Sequence, residues 1–361
     1  MEEVDVLIAG AGPAGCAAAV SIAKFAPLLR VCLVDGTDVD APRIGETVPP
    51  PIEPILQHLA LWDRFLADSH LPSYRTISAW GTSGLASSEF LFNVRQVGWR
   101  LDRARFDAMM VDAARVSVSS WQRDSVVALA FADGAWRTWF RSGHGATARF
   151  VIDATGRRAA LMRALGMRAF RLDRLVGYFV EFADAADDGE GLLIEAEADG
   201  WWYTAAIPGR RRVVAYMSDA DLARTRGVGR LDFWTGALRE TRHVSATVAP
   251  ARPLGPPRVQ PAGSCCMDGG TALPIIAVGD AASCFDPISG QGILKALRSG
   301  IFASYAVGDL LLCDNPRSLA RYRALGTEEF AVYRETLADY YALERRWAVR
   351  TFWQRRHAMS Q

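Results

Sequence analysis

Apolar runs of two kinds punctuate the chain. Val4 to Ala9 is short and uninterrupted, as are Leu29 to Val34, Phe150 to Asp153 and Ile275 to Val278; such runs predict strands buried on both faces. The first is followed, after a glycine cluster, by the small-residue segment CAAAVSIAKF (Cys16 to Phe25), which predicts a helix packed closely on that strand. Ile52 to Leu59 and the residues from Ile293 onward predict further helices. Between these segments the period changes. Leu175 to Phe182, Leu192 to Ala196, Trp201 to Ile207 and Arg212 to Met217 alternate apolar with polar positions, predicting an antiparallel sheet with one buried and one solvated face. From Ser318 to Arg356, seven aromatic residues from Tyr322 to Phe352 recur at helical spacing.

The turn after the first strand is Gly10-Ala11-Gly12-Pro13-Ala14-Gly15. This is GxGxxG between a strand and a helix, the context in which it binds a dinucleotide. Gly10 permits the tight turn, Gly12 lets backbone approach a pyrophosphate, and Gly15 allows close helix packing. Phosphates are then expected on the helix N-terminus, beside Pro13 and Ala14. Asp35 ends the second strand, where an acid holds ribose hydroxyls and disfavours a 2′-phosphate.

Far along the chain, Gly279-Asp280-Ala281-Ala282 follows the last apolar strand, and Pro287-Ile288-Ser289-Gly290-Gln291-Gly292 opens the helix from Ile293. This resembles the second flavin-contacting motif of glutathione-reductase-like flavoproteins. The resemblance implies that Asp280 holds the ribityl chain of FAD and that Gly290, Gly292 and Ile293 bring helix N-terminal amides to the flavin. Asp153-Ala154-Thr155-Gly156 resembles the ATG segment of the same fold, and Trp99 to Asp107 resembles the helix start whose arginine, here Arg103, contacts FAD in flavoprotein monooxygenases. The expected architecture is an α/β glutathione-reductase-like Rossmann FAD-binding fold with an inserted antiparallel β-sheet substrate domain and C-terminal helices. We divide it as 1–73, 99–172 and 256–313 for FAD, 74–98 and 173–255 for substrate, and 314–361 for the C-terminal helices, expected to pack on the FAD domain.

The segments GETVPP, LALWDRF, SAWG, GWRLDRARFD, WWYTAAIP, GDAASCFDPISGQG and the tryptophan- and arginine-rich C-terminus narrow the resemblance. They are similar to flavoproteins related to tryptophan halogenases, including those that oxygenate a tryptophan of a partner protein to build a tryptophylquinone cofactor. Halogenases of this group place a lysine in the pocket to carry hypohalous acid, and neither Lys24 nor Lys295 fits that place. The expected reaction is therefore hydroxylation of an indole or phenol through a flavin hydroperoxide. Halogenation and FAD-dependent dehydrogenation or reduction are the alternatives. The substrate is an aromatic small molecule or a protein-borne tryptophan. Glu46 is expected either at the flavin as a polar contact or proton carrier or as a capping acid before the helix Ile52 to Leu59, with Arg43 beside it, Pro287 at the second glycine turn, and Trp202 as the aromatic face toward substrate. Adjacent strand residues point to opposite faces, so only one of Trp201 and Trp202 can line a cavity.

Composition removes other classes. Lys and Arg number 41 against 40 acids, with no basic run longer than Arg210 to Arg212, so nucleic acid is not an expected partner. Six cysteines include no CxxC pair, and free thiols in a cytoplasmic protein are expected. No uncharged apolar stretch approaches membrane-spanning length. The five histidines are scattered and build no triad or metal site. A second glycine-rich βαβ unit for a nicotinamide is absent, so electrons are expected from transiently bound NAD(P)H or a separate flavin reductase.

Overall fold

The structure, a computed structural model, describes residues 1–37, 45–90, 97–185, 191–249, 251–268 and 270–360. Its first sheet is parallel at its centre, in the order Ser120–Gln122, Val31–Val34, Glu2–Ala9, Gly145–Asp153. The far edge of Gly145–Asp153 is shared by Ile275–Ala277, which pairs in parallel, and by the antiparallel meander Val126–Ala132 and Ala135–Phe140. The helix Pro13–Phe25 crosses this sheet and packs on the long helix Gly292–Cys313. The approach is set by small residues: a Cβ on Gly300 would stand 2.2 Å from the Ala14 carbonyl oxygen, and one on Gly15 1.9 Å from that of Gly10. Gly292–Cys313 is apolar and long enough to cross a membrane, but here it is a half-buried core helix wedged between Pro13–Phe25 and the helix Arg317–Ala342.

A second sheet roofs the first. Its strands run Arg252–Pro253, Leu175–Ala183, Arg211–Asp219, Gly200–Ile207, Leu192–Glu197, Arg75–Ala79, Ala86–Glu89. Arg75–Ala79, from a part of the chain about a hundred residues earlier, joins this sheet by pairing in parallel with Leu192–Glu197. Arg258–Pro261, assigned by sequence to the cofactor part, also pairs with Leu175–Ala183; four residues with a proline carry no readable alternation.

The expectation of one solvated face on this sheet is wrong. Every residue of Gly200–Ile207 is buried. Trp202, Val214 and Tyr216 pack outward against Trp234, Ala237 and Leu238 of the helix Leu231–Arg239. The inner face, with Trp201, Tyr203 and Met217, packs against Phe330, Tyr333 and Tyr341 of Arg317–Ala342 and Phe352 and Trp353 of Thr351–His357. The C-terminal helices therefore bridge both layers: Arg317–Ala342 packs along Gly292–Cys313 of the cofactor part, as expected, with Tyr322 donating from its hydroxyl to the Ala277 carbonyl at 2.8 Å, while its Phe330, Tyr333 and Tyr341 meet the roof. Arg356 locks the arrangement, ion-paired with Asp219 at 2.7 Å, each 1 % exposed.

Candidate active site

Of two adjoining cavities, the larger lies between the first sheet and the roof and the smaller at the edge of the first sheet. The larger, about 450 Å³, runs from Gly12, Pro13 and Ala14 to the roof residues Phe179, Ile194, Trp201 and Tyr203. The smaller, about 270 Å³, is lined by Gly10, Asp35, Thr37 and Arg141. Both share Gly12, Ala154 and Gly156, so together they form one elongated cleft over the carboxyl ends of the central strands.

Local chemistry shapes its walls. Gly10 holds φ +109°, and a Cβ there would stand 2.3 Å from the Ala154 oxygen, so only glycine makes this turn. Asp153, fully buried, accepts hydrogen bonds from the Thr155 amide and hydroxyl and from the Leu161 and Met162 amides; this orders the loop carrying Gly156. Thr37 donates to Asp35 in the smaller cavity. At the other end, Gly290, Gln291, Gly292 and Ile293 line the wall where Gly292–Cys313 begins. Neither this helix nor Pro13–Phe25 has a side-chain cap, so amides at both N-termini remain for a ligand.

The cleft fits FAD. Gly12, Gly156, Gly290 and Gly292 all line it, and a Cβ on any of them would meet nothing within 4 Å, which leaves backbone open to a close-packed ligand at both ends. Asp280 stands on the wall 3.5 Å from the Arg157 guanidinium, whose nitrogens also donate to the carbonyls of Gly263 (2.8 Å) and Phe285 (3.3 Å). Lys295 is 2 % exposed and is not among the residues that line the cavity. It donates to Asp280 at 3.2 Å and to the Ser283 carbonyl, bracing the GD turn. Lys24 is on the exterior, donating to the His58 carbonyl.

Beneath the roof lie two buried acids. Glu46 accepts a hydrogen bond from the Tyr203 hydroxyl at 3.3 Å; burial raises its carboxyl above the usual range against the opposing pull of Arg103. Arg103 donates to the Gly45 carbonyl at 3.0 Å and pairs with Asp107 at 3.2 Å. Across the cavity, Asp286 is pushed up to about 7, first by burial and then by the charge of Asp173. Tyr341 donates to it at 2.8 Å, and the Trp201 indole donates to the Tyr341 hydroxyl at 3.0 Å.

Most residues anticipated from sequence therefore meet in this cleft. Gly12, Pro13, Ala14, Glu46, Arg103, Gly156, Asp280, Pro287, Gly290, Gly292 and Ile293 line the larger cavity, Gly10 and Asp35 the smaller, and Gly15 lies beneath the turn. Arg43 lies outside the described residues. Trp202 is a correction: it faces away from the cleft, tilted against Tyr216 and edge-on to Trp234, because strand parity turns Trp201 and Tyr203 inward. The acid next to Pro287 and the cation after Gly156 were passed over, although both sit inside segments that had been singled out.

The tryptophan halogenase family profile matches residues 5–93. The chain is 30 % identical over its whole length, and over 98 % of the relative's, to the FAD-dependent oxidoreductase LodB of Marinomonas mediterranea. Its structure superposes on the myxobacterial chondrochloren halogenase CndH with a TM-score of 0.89 at 21 % identity, covering 99 % of this chain and 86 % of the other. With the peptidyl tryptophan dihydroxylase QhpG, essential for tryptophylquinone cofactor biogenesis, the TM-score is 0.79 at 23 % identity, covering 98 % and 79 %. Fold, cleft and relatives define an FAD-dependent oxidoreductase. The chain belongs to the family of halogenase-related flavoproteins that includes LodB.

Proposed function

We propose that this enzyme is a monooxygenase that inserts oxygen into an electron-rich aromatic ring, with a tryptophan of a partner polypeptide as the preferred substrate. The observation that carries this reading is the composition of the cavity under the roof. It presents Phe179, Trp201 and Tyr203 as aromatic walls, with the buried acids Glu46 and Asp286, while both lysines of the chain are committed elsewhere. A lysine is the group a halogenase of this kind needs there.

In this reading Gly10, Gly12 and Asp35 would hold the adenosine half of FAD, Pro13, Ala14 and the helix closed down by Gly15 its pyrophosphate, and Arg103, Gly156, Asp280, Pro287, Gly290, Gly292 and Ile293 its flavin. Reduced FAD supplies the electrons that activate O₂. The aromatic walls hold a flat substrate ring and exclude water, while Glu46, raised by burial, is suited to hold or move a proton at its Oε2 beside Tyr203. A separate flavin reductase, or NAD(P)H bound transiently, supplies reducing equivalents. The likeness to QhpG supports a peptide-borne tryptophan.

Halogenation is the second reading, favoured by the family profile and by the likeness to CndH. One experiment separates them. The FAD-loaded enzyme is incubated aerobically with a reducing system, chloride and bromide, and with tryptophan-containing peptides, free tryptophan and phenols. Mass spectrometry is then expected to show oxygen from ¹⁸O₂ on the ring; halogen in its place would overturn the monooxygenase.

A further inference from the structure

Beside the cleft lies a small antiparallel sheet, Ala169–Arg171, Cys265–Met267 and Ser283–Cys284, which the proposed chemistry does not use. In its register Cys265 stands directly opposite Cys284. Antiparallel neighbours place their Cα atoms about 4.5 to 5.5 Å apart, inside the span a disulfide bridges. Both thiols are free. Cys284 is buried and also reaches the Asp280 carbonyl at 3.2 Å, whereas Cys265 is half-buried and within reach of a small solute.

Their surroundings differentiate the two sulfurs. The Cys284 thiol beside it, together with the nearby Arg157 guanidinium, brings the Cys265 thiol down to about 6. The Cys265 sulfur opposite, with burial and the neighbouring Asp280, raises Cys284. Cys265 is thus the sulfur that gives up its proton more readily and Cys284 the one that keeps it, the division of labour between an attacking and a resolving cysteine. Arg157 also lines the main cavity and pairs with Asp280, so the thiols lie one side chain from the wall where oxygen chemistry is placed.

We propose that Cys265 and Cys284 form a peroxide-sensitive dithiol site that closes into a disulfide. The Cys265 thiolate attacks hydrogen peroxide, breaking its O–O bond; the leaving hydroxide takes a proton to become water, and Cys265 is left as a sulfenic acid. The Cys284 thiol then attacks that sulfur, forming the S–S bond and releasing a second water. Two thiols lose two electrons and two protons, and one peroxide becomes two waters. Peroxide is the product whenever O₂ takes two electrons from the reduced enzyme without passing oxygen to substrate, which makes it the fitting oxidant at this position.

Added hydrogen peroxide is the probe, so the outcome does not depend on which reaction the enzyme performs. The FAD-loaded protein is treated with stoichiometric peroxide, alkylated, denatured and cleaved before aspartate. Cleavage at Asp268, Asp280 and Asp286 puts the two cysteines on separate peptides that only a new S–S bond can join. A cross-linked pair, short of two hydrogens and split by reductant, is expected, with titratable thiols falling from six to four. Cys266→Ser should keep the cross-link and Cys265→Ser should lose it, both with the flavin spectrum intact. Full alkylation of Cys265 after peroxide, its conversion to sulfinic acid without cross-linking, or an unchanged cross-link in Cys265→Ser would each overturn the proposal.

Discussion

Glu46 and Tyr203 come from segments more than a hundred residues apart, and it is the burial created when these segments close together that gives the carboxyl its altered character. Burial without a full counter-charge raises a carboxyl's pKa, and the Tyr203 hydroxyl and Arg103 only partly offset that. Glu46→Gln keeps the shape and removes the titration. We expect it to lower kcat by about a hundredfold while leaving bound FAD, measured by absorbance, unchanged. Loss of the flavin instead would make Glu46 a binding residue only. The paired tryptophans supply the contrasting case. Trp202 is fully buried between Tyr216 and Trp234, so Trp202→Ala should cost about 3–5 kcal/mol in denaturant unfolding. Trp201→Phe should keep the fold but weaken substrate turnover, because it alters the cavity wall and removes the hydrogen bond to Tyr341. Equal unfolding midpoints for Trp202→Ala and the parent would contradict the assignment of faces.

Among the elements, the helix Pro13–Phe25 serves two partners through different glycines. On the side of the long helix, Gly300 leaves no room at all, and a methyl there must displace the Ala14 backbone. Gly300→Ala should therefore destabilise the protein by roughly 1–3 kcal/mol or more through overpacking. At the helix N-terminus, Gly12 faces open space in the cleft. Gly12→Ala should leave the stability of the FAD-free protein within about 0.5 kcal/mol of the parent, yet weaken FAD binding by about tenfold or more, a loss near 1.4 kcal/mol. Paired calorimetry and flavin titration check both; a Gly12→Ala protein that binds FAD normally would remove the helix terminus from the cofactor site.

At the scale of the molecule, three separate parts of the chain converge on Asp286. The second glycine turn carries it, the C-terminal helix contributes the Tyr341 hydroxyl, and the roof contributes Trp201. Its carboxyl is raised to about 7, against about 3.9 for an unfolded aspartate. The folded state therefore holds this proton more tightly than the unfolded chain does. That contribution is fully present below about pH 4 and is lost as the pH climbs to about 7. Asp286→Asn should abolish this part of the decline, so that thermal midpoints of parent and variant change differently between pH 4 and 7. Parallel curves would show that the carboxyl titrates normally.

The glycine turns, the acid after the second strand and the GD turn were legible in the linear sequence, because each encodes a local backbone requirement within a few residues. The parallel core and the alternating roof were readable for the same reason: periodicity reports burial along one strand. What covers a strand's second face is not local, and the helix around Trp234 turned an expected solvated surface into core. Likewise, the choice of Trp201 over Trp202, the pairing of Tyr203 with Glu46, and the meeting of Asp286 with Tyr341 depend on sheet register and on where distant helices dock. Sequence by itself determined that this chain builds a two-ended dinucleotide cleft beneath a sheet. Only the tertiary structure decided which side chains face it and what charge they carry there, since orientation and desolvation arise when remote segments close over one another.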